Sequence, residues 1–342
     1  MISLAFASAL TAKFTTESFD KQQTLLTAWD ELRPQHRGTP FAQSPDFKTF
    51  SNPGELNPEF ALDASNFIKF IRLTAGLDPT IQILPDLNTK AQWGANLLRL
   101  HGSIDHRVPK PSQLTMDQYA IASQGTAQSN ISKFYGRRTD LVEMIHLQMI
   151  DDRANVWNVG HRRWLLNPYL RKVGLGFVQS GQIPTSYGAV VVSDQSGSRE
   201  NPPAFVAWPS PHAFPLELTT PSMPWSITLN PDQYQKPIAQ NLTIELTDSS
   251  TGKSWTFQPE DNHVRRTDAE FQANFCGRQY GFGPSIIFRP QGQNLYSENT
   301  EYEVQISGLK TAQGESTSIT FRTRFFKLGS PVLLHQSPNE RT

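Results

Sequence analysis

Cysteine is almost missing from this sequence: Cys276 is the only one in 342 residues. A single thiol excludes an internal disulfide and a thiolate metal cluster, and leaves the compartment open. Net charge is missing too, since 31 Lys and Arg offset 31 Asp and Glu and neither sign collects into a long run. Without a field of one sign, nothing draws nucleic acid or an anionic surface from a distance, so no nucleic-acid partner is expected. No stretch approaches the roughly 18 unbroken apolar residues that cross a bilayer as a helix, so no transmembrane segment is expected either. A P-loop, a dinucleotide-binding glycine fingerprint and a G-x-S-x-G elbow are all absent, which leaves nucleotide and serine-hydrolase chemistry without support. Cys276 lies far in sequence from every histidine pair of interest, so it is not read as a nucleophile.

Proline and glycine are plentiful, 25 and 21 residues, while only 18% of side chains are charged. That balance describes a loop-rich mixed fold with a neutral polar surface, suited to export, and the length allows about two domains. Residues 1–12, MISLAFASALTA, form an apolar run with Ala7-Ser8-Ala9 as a peptidase-type site and no basic residue ahead of it. It reads as a signal-peptide remnant and points to a secreted, extracellular or periplasmic protein. Residues 13–58 read as an extended lead-in, with a short helix from about Ser18 to Glu31 and then Pro34, Pro40, Pro45, Pro53 and Pro58. From Asp63, a residue type that caps helices, Phe67, Ile68, Ile71 and Ala75 recur at helical spacing until Gly76 and Pro79 stop them. A second helix follows Pro85 with Leu87, Ala91, Ala95 and Leu98 on one stripe and Gly102 at its end. Two more are expected near Thr115 to Ser123 and Arg137 to Ile150.

After Pro168 the period changes to that of strands, at Val173 to Val178, Gly188 to Ser193 and Ala204 to Trp208. Helices followed by strands imply an α+β domain, set at residues 59–212. Further on, Leu242-Ile244-Leu246, Tyr302-Val304-Ile306 and Ile319-Phe321-Thr323-Phe325 alternate between turns such as Thr251-Gly252-Lys253. This predicts an all-β antiparallel sandwich of Ig-like type over 213–330, a tail at 331–342, and a boundary in the proline cluster between Pro209 and Pro224.

The strongest local signal is VGHRRWLLNP, Val159 to Pro168, followed by Lys172-Val173-Gly174-Leu175-Gly176. His161 stands before an arginine pair and a strand, and His106 lies in the Pro-rich loop GSIDHRVPKP directly after a helix, where a side chain can face a cleft. Two such histidines, with carboxylates at Asp151, Asp152 or Glu143 nearby in sequence, provide ligand types for zinc or another divalent cation. Ordinary structural roles compete with this: histidines as hydrogen-bonded core residues, Trp157 and Trp164 as core closure rather than groove walls, and Arg162 and Arg163 as internal partners of carboxylates. Asn130 and Asn241 match glycosylation acceptor tripeptides, a pattern that is common by chance.

The run from about Asp46 to Trp208 resembles a bacterial branch of the CAP superfamily, the cysteine-rich secretory and pathogenesis-related proteins. DASNFIKFIRLTAGL is similar to its first helix, AQWGANLLRLHGSIDH to its second helix and first histidine, and VGHRRWLLNP with KVGLGF to its second histidine and strand. The resemblance implies an α-β-α sandwich whose two histidines, here His106 and His161, line a central cleft with two acidic residues and bind divalent metal in some members. One acid falls on Asp151, with Asp152 or Glu143 as substitutes, while Ser129 stands where the family carries glutamate. The C-terminal third is similar to sandwiches appended to secreted CAP domains, through FVAWPSPHAFPLE, PWSITLN and YEVQISGL. Together these imply a non-enzymatic protein that binds a small-molecule, lipid or cell-surface ligand through the cleft. A metal-dependent hydrolase, and an adhesion or carbohydrate-binding protein acting through the sandwich, are the alternatives.

Overall fold

The computed structural model describes residues 2–151, 154–181, 183–197, 201–265, 272–292 and 295–329, with main chain alone over 2–16, 278 and 279. It is an α+β structure. Helix α1 (Ile2–Leu32) precedes two short strands, β1 (Phe41–Gln43) and β2 (Glu55–Leu56). Then come α2 (Pro58–Thr74), β3 (Gln82–Ile83), α3 (Pro85–His101), α4 (Met116–Ala127), β4 (Ser129–Tyr135), α5 (Leu141–Ile150) and α6 (Gly160–Leu165). Strands β5 (Lys172–Ser180) and β6 (Thr185–Asp194) complete a four-stranded sheet of order β3-β5-β6-β4.

Alternation along that sheet sends side chains to two helical layers. Val173, Leu175 and Phe177 share a core with Phe67 and Ile71 of α2 and Ile145 and Met149 of α5. Val178, Tyr187, Ala189 and Val191 pack with Leu87, Ala91 and Leu98 of α3 on the other face. The glycines of KVGLGF have a steric reason: a Cβ on Gly176 would stand 2.2 Å from the backbone of Ala91, so only glycine lets α3 lie this close to β5. Helix α2 begins earlier than expected, with Asn57 accepting from the Glu59 amide as its cap. Asp63 instead lies one turn inside and accepts from the amides of Gln35 and His36, which anchors the segment after α1. The expected helix at Arg137 starts only at Leu141, where Asp140 caps it.

The remaining strands are β7 (Phe205–Trp208), β8 (His212–Pro215), β9 (Trp225–Leu229), β10 (Thr243–Asp248), β11 (Ser254–Phe257), β12 (Gln272–Tyr280), β13 (Gly283–Arg289), β14 (Glu301–Lys310) and β15 (Ser316–Phe326). They form two sheets, β12-β13-β9-β7 and β11-β10-β14-β15-β8. Trp225, Phe257, Phe288, Tyr302 and Phe325 pack between them.

Two expectations need correction. The strand at 204–208 does not belong with the first sheet: β7 pairs antiparallel with β9 in register Phe205 to Leu229, so the sandwich begins near 205 rather than 213. Its hydrogen-bonding partner lies some 20 residues later, and propensity alone carries no information on which sheet a short strand joins. Nor is the lead-in largely extended. No proline or glycine interrupts residues 2–33, and α1 runs through to Leu32, ending just ahead of Pro34. Leu25 and Trp29 are buried, Ser18 donates to the carbonyl of His212 at 2.8 Å, and Lys21 donates to Ser210 and to the carbonyl of Pro211. The helix therefore straps α2 to β8, and one apolar cluster runs continuously from Phe67 to Phe325. The two halves share a core instead of each closing its own.

Candidate functional site

Asp151 is the C-cap of α5 in left-handed geometry, φ 53° and ψ 36°, which turns the chain back toward α6. Its carboxylate is buried, accepts from the Arg162 amide at 3.2 Å, and lies 2.9 Å from Nδ1 of His161. Val159, just ahead of α6, is also left-handed, φ 41° and ψ 46°, a rare state for a β-branched residue and one that costs of order 1–3 kcal/mol. That strain is held by the partners of the two arginines. Arg162 donates to the carbonyls of Met149, Ile150 and Pro224 and to the Ser226 hydroxyl, all within 3.0 Å. Arg163 donates to the carbonyls of Asn158 and Gly283, and burial lowers its pKa to about 10. Both arginines bind main-chain oxygens where carboxylates had been expected, and they bolt α6 to β9 and β13.

From the sandwich, Gln272 and Asn274 on β12 donate to the carbonyls of Val156 and Trp157. The segment leading into His161 is thus held from both halves.

His106 approaches from the loop after α3, which Gly102 ends in left-handed conformation. Its Nδ1 lies 2.8 Å from the carbonyl of Thr126 at the end of α4, and the Thr126 hydroxyl returns a bond to the His106 carbonyl at 3.3 Å. A carbonyl only accepts, so Nδ1 of His106 carries a proton. The Asp151 carboxylate lies 2.9 Å from Nδ1 of His161, and the Asn155 amide nitrogen lies 2.8 Å from the same Nδ1 and 3.2 Å from Nε2.

His106 and His161 line one cavity of about 510 Å³, together with Gln128, Ser129, Asn155, Trp164 and Tyr280. The expected convergence of the two histidines is therefore present. A second hollow of about 250 Å³, lined by Ile104, Phe134, Met144 and Leu147, meets the first at His161 and Asn155. Trp164 walls the larger cavity, whereas the Trp157 ring sits 6.4 Å from that of His263 and is not part of its lining.

Among the described residues, neither Asp151 nor Glu143 joins the histidines in a group that could hold a metal ion. Asp151 stands behind His161 as its orienting partner, Glu143 is occupied by Arg137 and the Thr139 hydroxyl, and Asp152 lies outside the described residues. Two imidazoles suit a borderline-soft divalent cation, but among the described residues no group of three His, Cys, Asp or Glu side chains converges to hold one. Ser129 is buried at the cavity wall, and its hydroxyl has no hydrogen-bond partner among the described residues. Asn130 is buried and donates to the His161 carbonyl, so the folded protein cannot present it for glycosylation, while Asn241 is exposed. Cys276 donates to the Pro237 carbonyl, and burial raises its pKa. Sequence reading missed Tyr280: it ends β12, more than a hundred residues beyond His161, and only the docking of the sandwich brings it to the cleft.

Among the described residues no helix is long and apolar enough to cross a membrane. No protein-family model matches the sequence, and no curated protein matches it. Among solved structures, an outer surface protein from Borrelia burgdorferi aligns over 39% of this chain and 92% of its own, at 16% identity and a TM-score of 0.26. A likeness at that score carries no argument about fold or function.

Proposed function

We propose that this chain is an exported, CAP-type ligand-binding protein with an appended sandwich, and that its ligand enters the cavity between His106, His161 and Tyr280. The ordered series of family-like motifs and the helix-sheet-helix layering support the class. The observation that carries the site is the matched anchoring of the two imidazoles. Each holds Nδ1 against a fixed acceptor, the Thr126 carbonyl or the Asp151 carboxylate, while its ring lines the cavity. Metal-binding histidines are oriented in this way, so weak divalent-cation binding by the pair is part of the reading. Calorimetric titration of metal-stripped protein with zinc tests it: wild type binds, and the His106→Ala, His161→Ala double variant does not. Identical isotherms would refute it.

One observation favours a second reading. A histidine fixed by a buried carboxylate is also how a general base is prepared, so His161 with Asp151 could activate water for hydrolysis. Turnover of peptide or ester substrates that His161→Ala abolishes would establish this reading over simple binding.

A further inference from the structure

We propose that the occupant of the larger cavity is a neutral sugar ring, stacked in the corner made by Trp164 and Tyr280. This rests on the reading of that cavity as the ligand site and adds the chemical class.

Three features point the same way. Among the described residues lining the cavity there is no Asp, Glu, Lys or Arg, so no carboxylate, ammonium or guanidinium group lines it to pair with a charged ligand. Secondly, Ala127 and Val192 are the only aliphatic side chains of that described lining, while Gln128, Asn155, Ser193 and the two histidines supply neutral polar atoms. An acyl chain would strip water from those groups and return no hydrogen bond. Sugar hydroxyls, each both donor and acceptor, match amides, hydroxyls and imidazole nitrogens. Ser129 adds a buried hydroxyl that has no hydrogen-bond partner among the described residues.

The third feature is aromatic. Trp164 and Tyr280 are partly exposed and meet edge to face, with ring centroids 6.4 Å apart and planes at 79°. They form a corner of one flat π-face and one perpendicular wall. A pyranose has a face of C–H bonds and a rim of hydroxyls, and such a corner takes the C–H face on the electron-rich ring while the rim reaches the polar wall. The cavity, about 510 Å³, falls in the roughly 300–1,000 Å³ range of small-molecule sites. Because Trp164 comes from α6 and Tyr280 from β12, neither half of the chain forms this corner alone.

The test is calorimetry and ligand-observed NMR on the full chain with glucose, N-acetylglucosamine and their β-linked disaccharides, with glucuronic acid as a charged control. At least one neutral sugar should bind, and Trp164→Ala and Tyr280→Ala should each weaken it about tenfold, while Tyr280→Phe, which keeps the ring, retains most of the affinity. Should either alanine variant fail to fold, sugar-induced shifts of the Trp164 indole and of the Gly160 and Ser193 amides in wild type replace it. Shifts confined to other residues count against the proposal. Zinc binding through the histidines with no sugar binding overturns the sugar assignment and leaves the cavity reading standing, whereas failure of both removes the two together. Binding indifferent to Trp164 and Tyr280, or preference for glucuronic acid, also overturns the assignment.

Discussion

His146 lies on α5 and is only 8% exposed, with its ring edge to face against Phe67 at 6.1 Å and its Nε2 without a hydrogen-bond partner among the described residues. Burial lowers its pKa from 6.5 to about 4, against the attraction of Glu143 and a main-chain contact with Glu217, both of which act to raise it. In the unfolded chain the ring titrates near its ordinary value. Between pH 6.5 and about 4, then, the unfolded state takes up a proton that the folded state refuses, and stability falls as pH falls through this window. Above the unfolded value the group contributes no slope, and below about pH 4 both states are protonated and the slope vanishes again. The shift of about 2.5 units corresponds to about 3 kcal/mol at full development. His146→Gln, which does not titrate, should lack this component. Urea unfolding at intervals from pH 7.5 to 4 should therefore show the stability of wild type falling relative to the variant by about 3 kcal/mol, and the difference cancels the slopes of shared carboxylates. Parallel profiles for the two proteins, or an NMR titration that places His146 near 6.5 in the folded state, would refute the reasoning.

Asp151→Asn preserves shape but removes the charge beside Nδ1 of His161; zinc affinity by calorimetry should drop about 10- to 100-fold, and an unchanged affinity would mean the carboxylate does not orient the ring. Arg162→Met leaves acceptors on Met149, Ile150, Pro224 and Ser226 without a donor inside the core, so denaturant unfolding should show a loss of more than about 3 kcal/mol, with α6 loosening in hydrogen exchange. Gly176→Ala forces α3 away from β5 and should cost about 1–3 kcal/mol or more, whereas Gly252→Ala, where a Cβ meets nothing within 4 Å, should cost only the roughly 1 kcal/mol of a left-handed alanine; equal losses would count against the packing argument.

Much of the architecture could be read locally. The stripe through Phe67 and Ile71, the stripe through Leu87, Ala91 and Leu98, and the alternation at 302–306 and 319–325 each became the expected helix or strand, because a residue's period along the chain decides which face it presents. The two histidines could be picked out as well, and they do share a cavity, although His161 lies on α6 and not in a loop. Where reading failed, the deciding interaction was distant in sequence. Phe205 to Trp208 have strand character, but their sheet was decided by pairing with β9. Asp151 is a carboxylate near His161 on any reading, and only the left-handed turn at the end of α5 aims it at Nδ1 from behind instead of beside the ring as a second ligand.

Composition and spacing by themselves determined the α+β class, the positions of most elements, and the absence of one-signed charge or a bilayer-length apolar run, since these depend on residue identity and on short-range geometry. Tertiary structure alone decided that α1 straps the halves together, that buried arginines hold main-chain carbonyls of the sandwich, and that Tyr280 closes the cavity opposite His106 and His161. Those relations join residues up to 194 positions apart, and no local periodicity encodes which distant surfaces will meet when an apolar core closes.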